Sequence, residues 1–576
     1  MRYLSIVCSL IFLLSCQSDN SKNERSTQLE EVNIRIDRDP GLINPFYAYT
    51  SIGRNVFPYL FLPLADFHPE TLQISPILIE EIPSAKEVKV NDQILLAYDL
   101  TMKEDAVWPD GKPLTAKDYL FTIAMIKHPE SKISAWRPYF TAMKKIELDK
   151  SNPKKFRILL DSSYMLALEA ALTCYVMPSH KHDPNGFLTD NIDNIFNESY
   201  TTNDSTEINV VEAVNKTMNE KKEIFQIGPY FISDFQIDEY LILEANSDYW
   251  GKNYPDVPAL QANPKKIILR IVPDEITASS MIKDGQLDFM EMRNSNTFLD
   301  LKNDDNFNKD WTFHVPQVLR YYFLCLNNKS PIFSDKIVRR AFAHLVDVED
   351  IMENIDGGLG IRTTGPFHPT KTYYDKTIPS TPYDVEKAIS LLKEAGWNDT
   401  DGDGIRDKII NGKKETLKVE FLFTGSQLAK NIGLLFQQTA KEAGVEITLV
   451  KKKLALMNKE NLDVFDYDIA ALAVTVDQAD DDPYSRWHSD SAVPGKRNKS
   501  GFSNVTADRL IEKIRTTRDK KERYQAYKDL QTVFVEEQPV IFLYCPLQKF
   551  IVNNKLDAVT TSKRPGYMAN TFKLVE

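Results

Sequence analysis

Cysteine is scarce, with five residues in a chain of 576. Cys8, Cys16, Cys174, Cys325 and Cys545 include no C-x-x-C pair. Their spacing supports neither a disulfide framework nor a zinc centre, so no metal site is expected from them. The last three lie in apolar runs (ALTCYVM, FLCLN, LYCPL) and are expected as small buried hydrophobes. Long apolar runs are missing too, which excludes a multi-span membrane protein, since a crossing takes about 20 such residues. Positive charge falls short of negative: 70 Lys and Arg stand against 82 Asp and Glu, a net charge of −12. Nucleic acid is therefore not an expected partner, because phosphate binding needs a concentrated basic face. No G-x-S-x-G, H-E-x-x-H or paired Cys/His signature occurs, so the chain is not read as an enzyme. Gly357-Gly358-Leu359-Gly360 lacks the pattern of a phosphate loop, and no cofactor is expected.

What is present begins with an address. Arg2 precedes a short apolar stretch from Tyr3 to Leu14, followed by Leu13-Leu14-Ser15-Cys16. The stretch is too short to span a bilayer and reads as an export signal. Leu-Leu-Ser-Cys resembles the bacterial lipobox, in which the cysteine becomes the lipidated first residue of the mature chain. That resemblance makes residues 1–15 a signal peptide and Cys16 a membrane anchor. Residues 17–28 are polar and suit a flexible tether, so 16–31 is read as lipidated Cys plus linker.

Further on, strand-like and helix-like runs alternate, which argues for an α/β architecture. VNIRID (32–37), QILLAYDLT (93–101), KFRILL (155–160), KKIILRIV (265–272) and PVIFLY (539–544) read as strands. Thr115 with Asp118 three residues on looks like a capping box before YLFTIAMI. DKIVRRAFAHLVD (335–347) and DVEKAISLLKEAG (384–396) carry apolar residues at helical spacing. Residues 181–223, rich in Asn, Asp, Ser and Thr, read as a surface excursion with some helix.

In this order the segments resemble a known family. WPDGKPLTAKDYLFT (108–122), QIGPYFISDFQIDEYLILEANSDYWGK (226–252), FSDKIVRRAFAHLVDVEDI (333–351) and YDVEKAISLLKEAGWNDTDGDGIRD (383–407) carry the resemblance, with GFSNVTADRLIEKIR and ERYQAYKDLQTVFVEEQPVIFLY nearer the end. The chain resembles an extracellular solute-binding protein of family 5, the peptide/nickel-binding group of ABC importers. Trp108 stands where the family usually has Phe, and Gln226-Ile227 departs from its Gly-Thr. The resemblance implies a periplasmic binding protein-like fold of class II: two lobes, a two-strand hinge, and an extra subdomain in lobe I. Carried over, lobe I comprises 32–60, 225–272 and 539–576, the extra subdomain 61–224, and lobe II 273–538. The crossings are expected near 271–274 and 537–542. It further implies a monomer on the periplasmic side of a bacterial cell membrane, inner or outer undecided. There it would be lipid-anchored and would hand a peptide to an ABC permease. The alternative keeps the fold and changes the solute to a nickel chelate, haem, an oligosaccharide or a signalling peptide.

In peptide-binding members an Asp after a lobe II strand pairs with the ligand's ammonium. The matching stretch here, VTVDQADDDPYSRWHSDSA (474–492), offers Asp477, Asp480 and Asp482, with Asp480 favoured. A solvated acidic turn capped by Pro483 remains the other reading. Trp487, Trp397, Tyr321 and Tyr322 are candidates to line the cleft, against plain core packing. Arg362, in a Gly-rich connection, is a candidate partner for a ligand carboxylate. Asp399-Thr-Asp401-Gly-Asp403-Gly404 matches the start of a calcium loop, but its twelfth position is Ile410 rather than Glu, so the bidentate ligand is missing.

Overall fold

A computed structural model describes residues 29–47, 50–133, 136–197, 199–217, 226–476 and 478–575. The signal segment, Cys16 and Asp477 lie outside them. Strand Glu31–Ile36 buries Val32 and Ile34 completely and pairs in parallel with Lys266–Ile271, register Val32 to Ile267. Parallel neighbours need a crossover between them, and here the crossover is a whole subdomain. These two strands lie within a seven-stranded sheet ordered Trp311–His314, Phe550–Asn553, Phe289–Glu291, Glu31–Ile36, Lys266–Ile271, Tyr240–Ala245, Tyr230–Gln236.

Within the crossover, Lys86–Val90, Gln93–Thr101, Lys155–Leu160 and Met143–Leu148 form a four-stranded antiparallel sheet. Its first hairpin turns through Asn91 and Asp92, both at positive φ, the conformation that suits a tight two-residue connection. Helix Ala116–Lys127 packs beside it, its Asp118 carboxylate accepting the Thr115 N–H at 2.8 Å as the capping box requires. Tyr119 and Phe121 of this helix share one core with Val32 and Ile267 of the large sheet. The subdomain is thus built onto the first sheet rather than strung from it.

A second, five-stranded sheet runs Glu446–Lys451, Lys418–Phe423, Ile469–Thr475, Arg320–Leu326, Val540–Phe542. Its central strands are covered on both faces. Along Arg320–Leu326, Tyr321, Phe323 and Cys325 enter one core cluster while Leu324 and Leu326 enter another, the two-residue alternation of a strand.

Two expectations about where the chain changes sheets are corrected by these pairings. Val272 continues the first sheet, its N–H bonding the Ile36 carbonyl, and Asp274 caps helix Glu275–Lys283. That helix packs back through Ala278 and Ile282 onto Met290 and Ile551 of the same sheet. The proline at 273 therefore opens a helix and not a crossing, and strands Phe289–Glu291 and Trp311–His314 still belong to the first sheet. At the other end, Ile541 and Phe542 pair with Leu324 and Phe323, so 540–542 belongs to the second sheet. The chain crosses at 315–319 and again at 543–549.

Candidate functional site

The two crossings run side by side. Gln317 and Leu547 form an antiparallel bridge, and the Gln548 N–H donates to the Pro316 carbonyl at 2.9 Å. Against this base two cavities open between the sheets. The inner one, about 270 Å³, is walled by Ser51, Arg293 and Arg564 on the side of the first sheet and by Arg320, Tyr322 and Ser426 on the other. The outer one, about 500 Å³, takes Gln73, Ile74 and Glu169 from the subdomain and Lys371, Asp480 and Arg523 from the second body. Leu319 and Gln478 line both, so the cavities adjoin. The outer cavity falls within the range of small-ligand clefts, about 300–1,000 Å³, and the inner one just below it.

The acidic loop is held open over the outer cavity by its own bonds. Lys371 Nζ donates to the Gln478 and Ala479 carbonyls at 3.0 and 2.5 Å. Asp481 turns away: its carboxylate accepts the Tyr373 hydroxyl at 2.8 Å, and Tyr373 stacks on Tyr527 at 3.9 Å. Asp482 accepts the Tyr484 N–H at 3.0 Å and meets Arg515 Nε at 3.2 Å, so its role is to start the short helix Tyr484–Trp487. Among the described acids of this run, Asp480 is the one on the cavity wall. It accepts Arg523 Nη2 at 2.9 Å and the Tyr524 hydroxyl at 3.3 Å.

Opposite it stands Glu169, which the sequence reading missed. It sits on helix Ala167–Leu172, a single acid among apolar neighbours in LALEAAL, and that isolation was the available signal. Burial pushes its carboxyl above the usual glutamate range; Asp480 adds to the rise, and Arg523 and Lys520 oppose it. Asp480 and Glu169 thus both line the outer cavity, one from each body.

Of the other candidates, Tyr322 lines the inner cavity, while Tyr321 is fully buried. Adjacent residues on one strand face opposite ways, so only one of the pair can reach the cleft. Trp397, 1% exposed, fills the core beside Phe421 and Phe436, and Trp487 packs edge-on against Phe534 at 4.9 Å. The expectation that these two indoles line the cleft is corrected: each serves a helix-on-sheet core. Arg362 is corrected as well. Its guanidinium donates to the Phe542 carbonyl at 2.7 Å and to those of Thr363 and Leu543, with Glu349 at 3.6 Å. It stitches strand Gly360–Arg362 to the adjoining chain and lines neither cleft cavity. In the calcium-like turn, Lys414 Nζ lies 2.6 Å from Asp401 and 3.3 Å from Asp407, putting the protein's own cation among these acids.

The segments that carried the family resemblance serve the scaffold. Asp118 accepts Trp108 Nε1 at 3.3 Å and both the N–H and hydroxyl of Ser179 at 2.7 Å. Arg339, 4% exposed, donates to the carbonyls of Phe333, Ser334, Glu537 and Gln538, clamping the end of helix Lys520–Glu537. At Gly228 a Cβ would lie 2.4 Å from the Tyr59 carbonyl oxygen, so no side chain fits there.

Across the mouth of the cleft the subdomain touches the second body. The Met165 N–H donates to the Arg515 carbonyl at 2.9 Å, and Arg518 meets Glu87 at 3.3 Å. The Arg515 guanidinium lies 5.3 Å from the Tyr164 ring and 4.5 Å from the Tyr484 ring.

Comparison with known proteins agrees with this architecture. The model of "Bacterial extracellular solute-binding proteins, family 5 Middle" matches residues 84–495. The oligopeptide-binding protein AppA of Bacillus subtilis is 27% identical over 561 residues, covering 94% of this chain and 92% of AppA. The solved structure of AppA in complex with a nonapeptide superposes with a TM-score of 0.72 at 23% identity, covering 95% of this chain and 99% of that one. NikZ from Campylobacter jejuni, solved in complex with Ni(L-His), gives a TM-score of 0.69 at 23% identity, over 92% of this chain and 96% of its own. Among the described residues no helix is long and apolar enough to cross a membrane.

Proposed function

Since the chain belongs to the bacterial extracellular solute-binding proteins of family 5, we propose that it captures peptides in the cleft between its two bodies and delivers them to an ABC permease. It makes and breaks no bonds. Its lipid anchor is Cys16, on the periplasmic side of a bacterial cell membrane, and it acts as a monomer. The observation that carries this reading is Asp480 on the wall of a 500 Å³ cavity, with Glu169 opposite. A peptide brings an ammonium group. Entering beside the two acids, it replaces Arg523 as the partner of Asp480 and offers buried Glu169 a counter-charge that favours its ionised form. A charged hydrogen bond in a site emptied of water is stronger than in solvent, which favours the state in which the bodies meet. The ligand shifts that equilibrium only by binding the closed arrangement better than the open one. AppA, bound to a nonapeptide in its own structure, supports a peptide as the solute.

Titration calorimetry with a peptide mixture tests the reading. Asp480→Asn should weaken binding at least about tenfold, the worth of one charged hydrogen bond. Acetylating the peptide's amino end should do the same to the unaltered protein. An unchanged dissociation constant in both cases removes Asp480 from the site. Native mass spectrometry of the purified protein provides the second check, since a retained nickel chelate, haem or sugar in place of peptide would replace this solute assignment.

A further inference from the structure

We propose that the inner cavity is a carboxylate compartment, which makes this protein select peptides bearing an acidic side chain. The inference rests on the peptide reading above. The chain as a whole is acidic, with a net charge of −12. The inner cavity is the opposite among the described residues: Arg293, Arg320, Lys549 and Arg564 line it, with Glu291. Two of these cations face acids outside the cavity wall. Arg293 meets Asp37 at 2.5 Å, and Lys549 meets Asp356 at 3.5 Å. Arg320 is different. It is half-buried on the cavity wall, and its Nε donates to the neutral hydroxyl of Thr475 at 3.2 Å. Arg564 lines the same space from the facing body and donates to the Asn55 side-chain oxygen and the Ser51 carbonyl, each at 3.1 Å.

The backbone adds charge of the same sign. Helix Ser51–Leu60 begins on one wall, with Ser51 and Ile52 lining the cavity. Helix Gln427–Glu442 begins on the other, with its cap Ser426 and its Leu428 lining it. Neither helix has an acid in its first turn, so the partial positive charge of each start is not neutralised locally. Two cations from opposite bodies and two helix starts thus converge on one space next to the ammonium site. A carboxylate there satisfies both bodies at once, so an acidic residue strengthens closure as well as binding. A peptide held by its amino end at Asp480 passes Leu319 and Gln478 into this space.

Calorimetry on the mature full-length chain tests this with alanine-based hexapeptides carrying one Glu, Gln or Lys, each as free acid and as C-terminal amide. Glu peptides should bind about tenfold tighter than Gln peptides in both terminal forms, Lys peptides weaker still, and the Glu advantage should shrink in high salt. Arg320→Gln should abolish the Glu-over-Gln difference, and Arg320→Lys should keep most of it. Equal affinities for Glu and Gln overturn the proposal. A loss on amidation alone also overturns it, assigning the compartment to the peptide's own C-terminus. Glutarate serves as the companion probe. Binding of glutarate with no binding of any peptide removes the peptide reading and keeps the compartment. Binding of peptides without regard to charge does the reverse. Binding of neither removes both.

Discussion

Asp480 and Glu169 show how little of a binding site is written in residue type alone. Three acids stand in a row at 480–482, and their neighbours give each a different task. Arg523 and Tyr524 hold Asp480 at the cavity, Tyr373 takes Asp481, and the Tyr484 N–H takes Asp482. Glu169 contributes from more than three hundred residues away, and its only local sign was its isolation among apolar neighbours. Its titration provides a test at this scale. The folded carboxyl holds its proton more tightly than the unfolded chain does, so ionising it costs stability. That penalty is absent below the ordinary glutamate range, where both states are protonated, and it grows as pH rises through and above that range. Glu169→Gln should therefore raise the thermal midpoint at pH 7 and leave it unchanged near pH 3, while weakening peptide binding several-fold. A midpoint lowered at pH 7 would mean that the carboxylate is needed by the fold rather than by the ligand.

At the level of strands and helices, much of the architecture was legible. The strands at 32–37, 93–101 and 155–160 and the helices at 335–347 and 384–396 occur within a few residues of where periodicity and caps put them. The resemblance motifs also pointed correctly to the family, for a reason the structure supplies: Asp118, Arg339 and Gly228 each hold two distant segments together. The crossings were not legible, because Pro273 and Pro539 look like breaks and are a helix entry and a strand entry. Proline sets local backbone geometry, but strand partners far along the chain decide which sheet a segment joins. Asp118→Ala tests the structural role of its motif. It strands the Thr115 and Ser179 N–H groups and the Trp108 indole in a buried place, and should destabilise the protein by roughly 2–4 kcal/mol in urea unfolding. A loss below about 0.5 kcal/mol would show that these donors find other partners.

The whole molecule is two bodies joined by a pair of adjacent segments at 315–319 and 543–549. Contacts at the far rim include Arg515 between the Tyr164 and Tyr484 rings and the Arg518–Glu87 pair. Saturating peptide should shrink the radius of gyration seen by solution X-ray scattering. Arg515→Ala should reduce that shrinkage and weaken binding by about threefold to tenfold, in keeping with a partly exposed cation–ring contact. Scattering curves that do not change with ligand would mean that the bodies do not swing on binding.

The shared core of the large sheet and the subdomain has a further consequence for the proposed lipid anchor. The first described strand, Glu31–Ile36, lies in the large sheet, so the anchor proposed at Cys16 would tie that half and, through the common core, the subdomain as well. With that anchor the half that includes the subdomain would be moored, and the half carrying the five-stranded sheet would be the jaw that travels. Under that proposal a transporter at the bilayer would meet one surface that stays where the lipid holds it and another whose distance reports whether cargo is aboard.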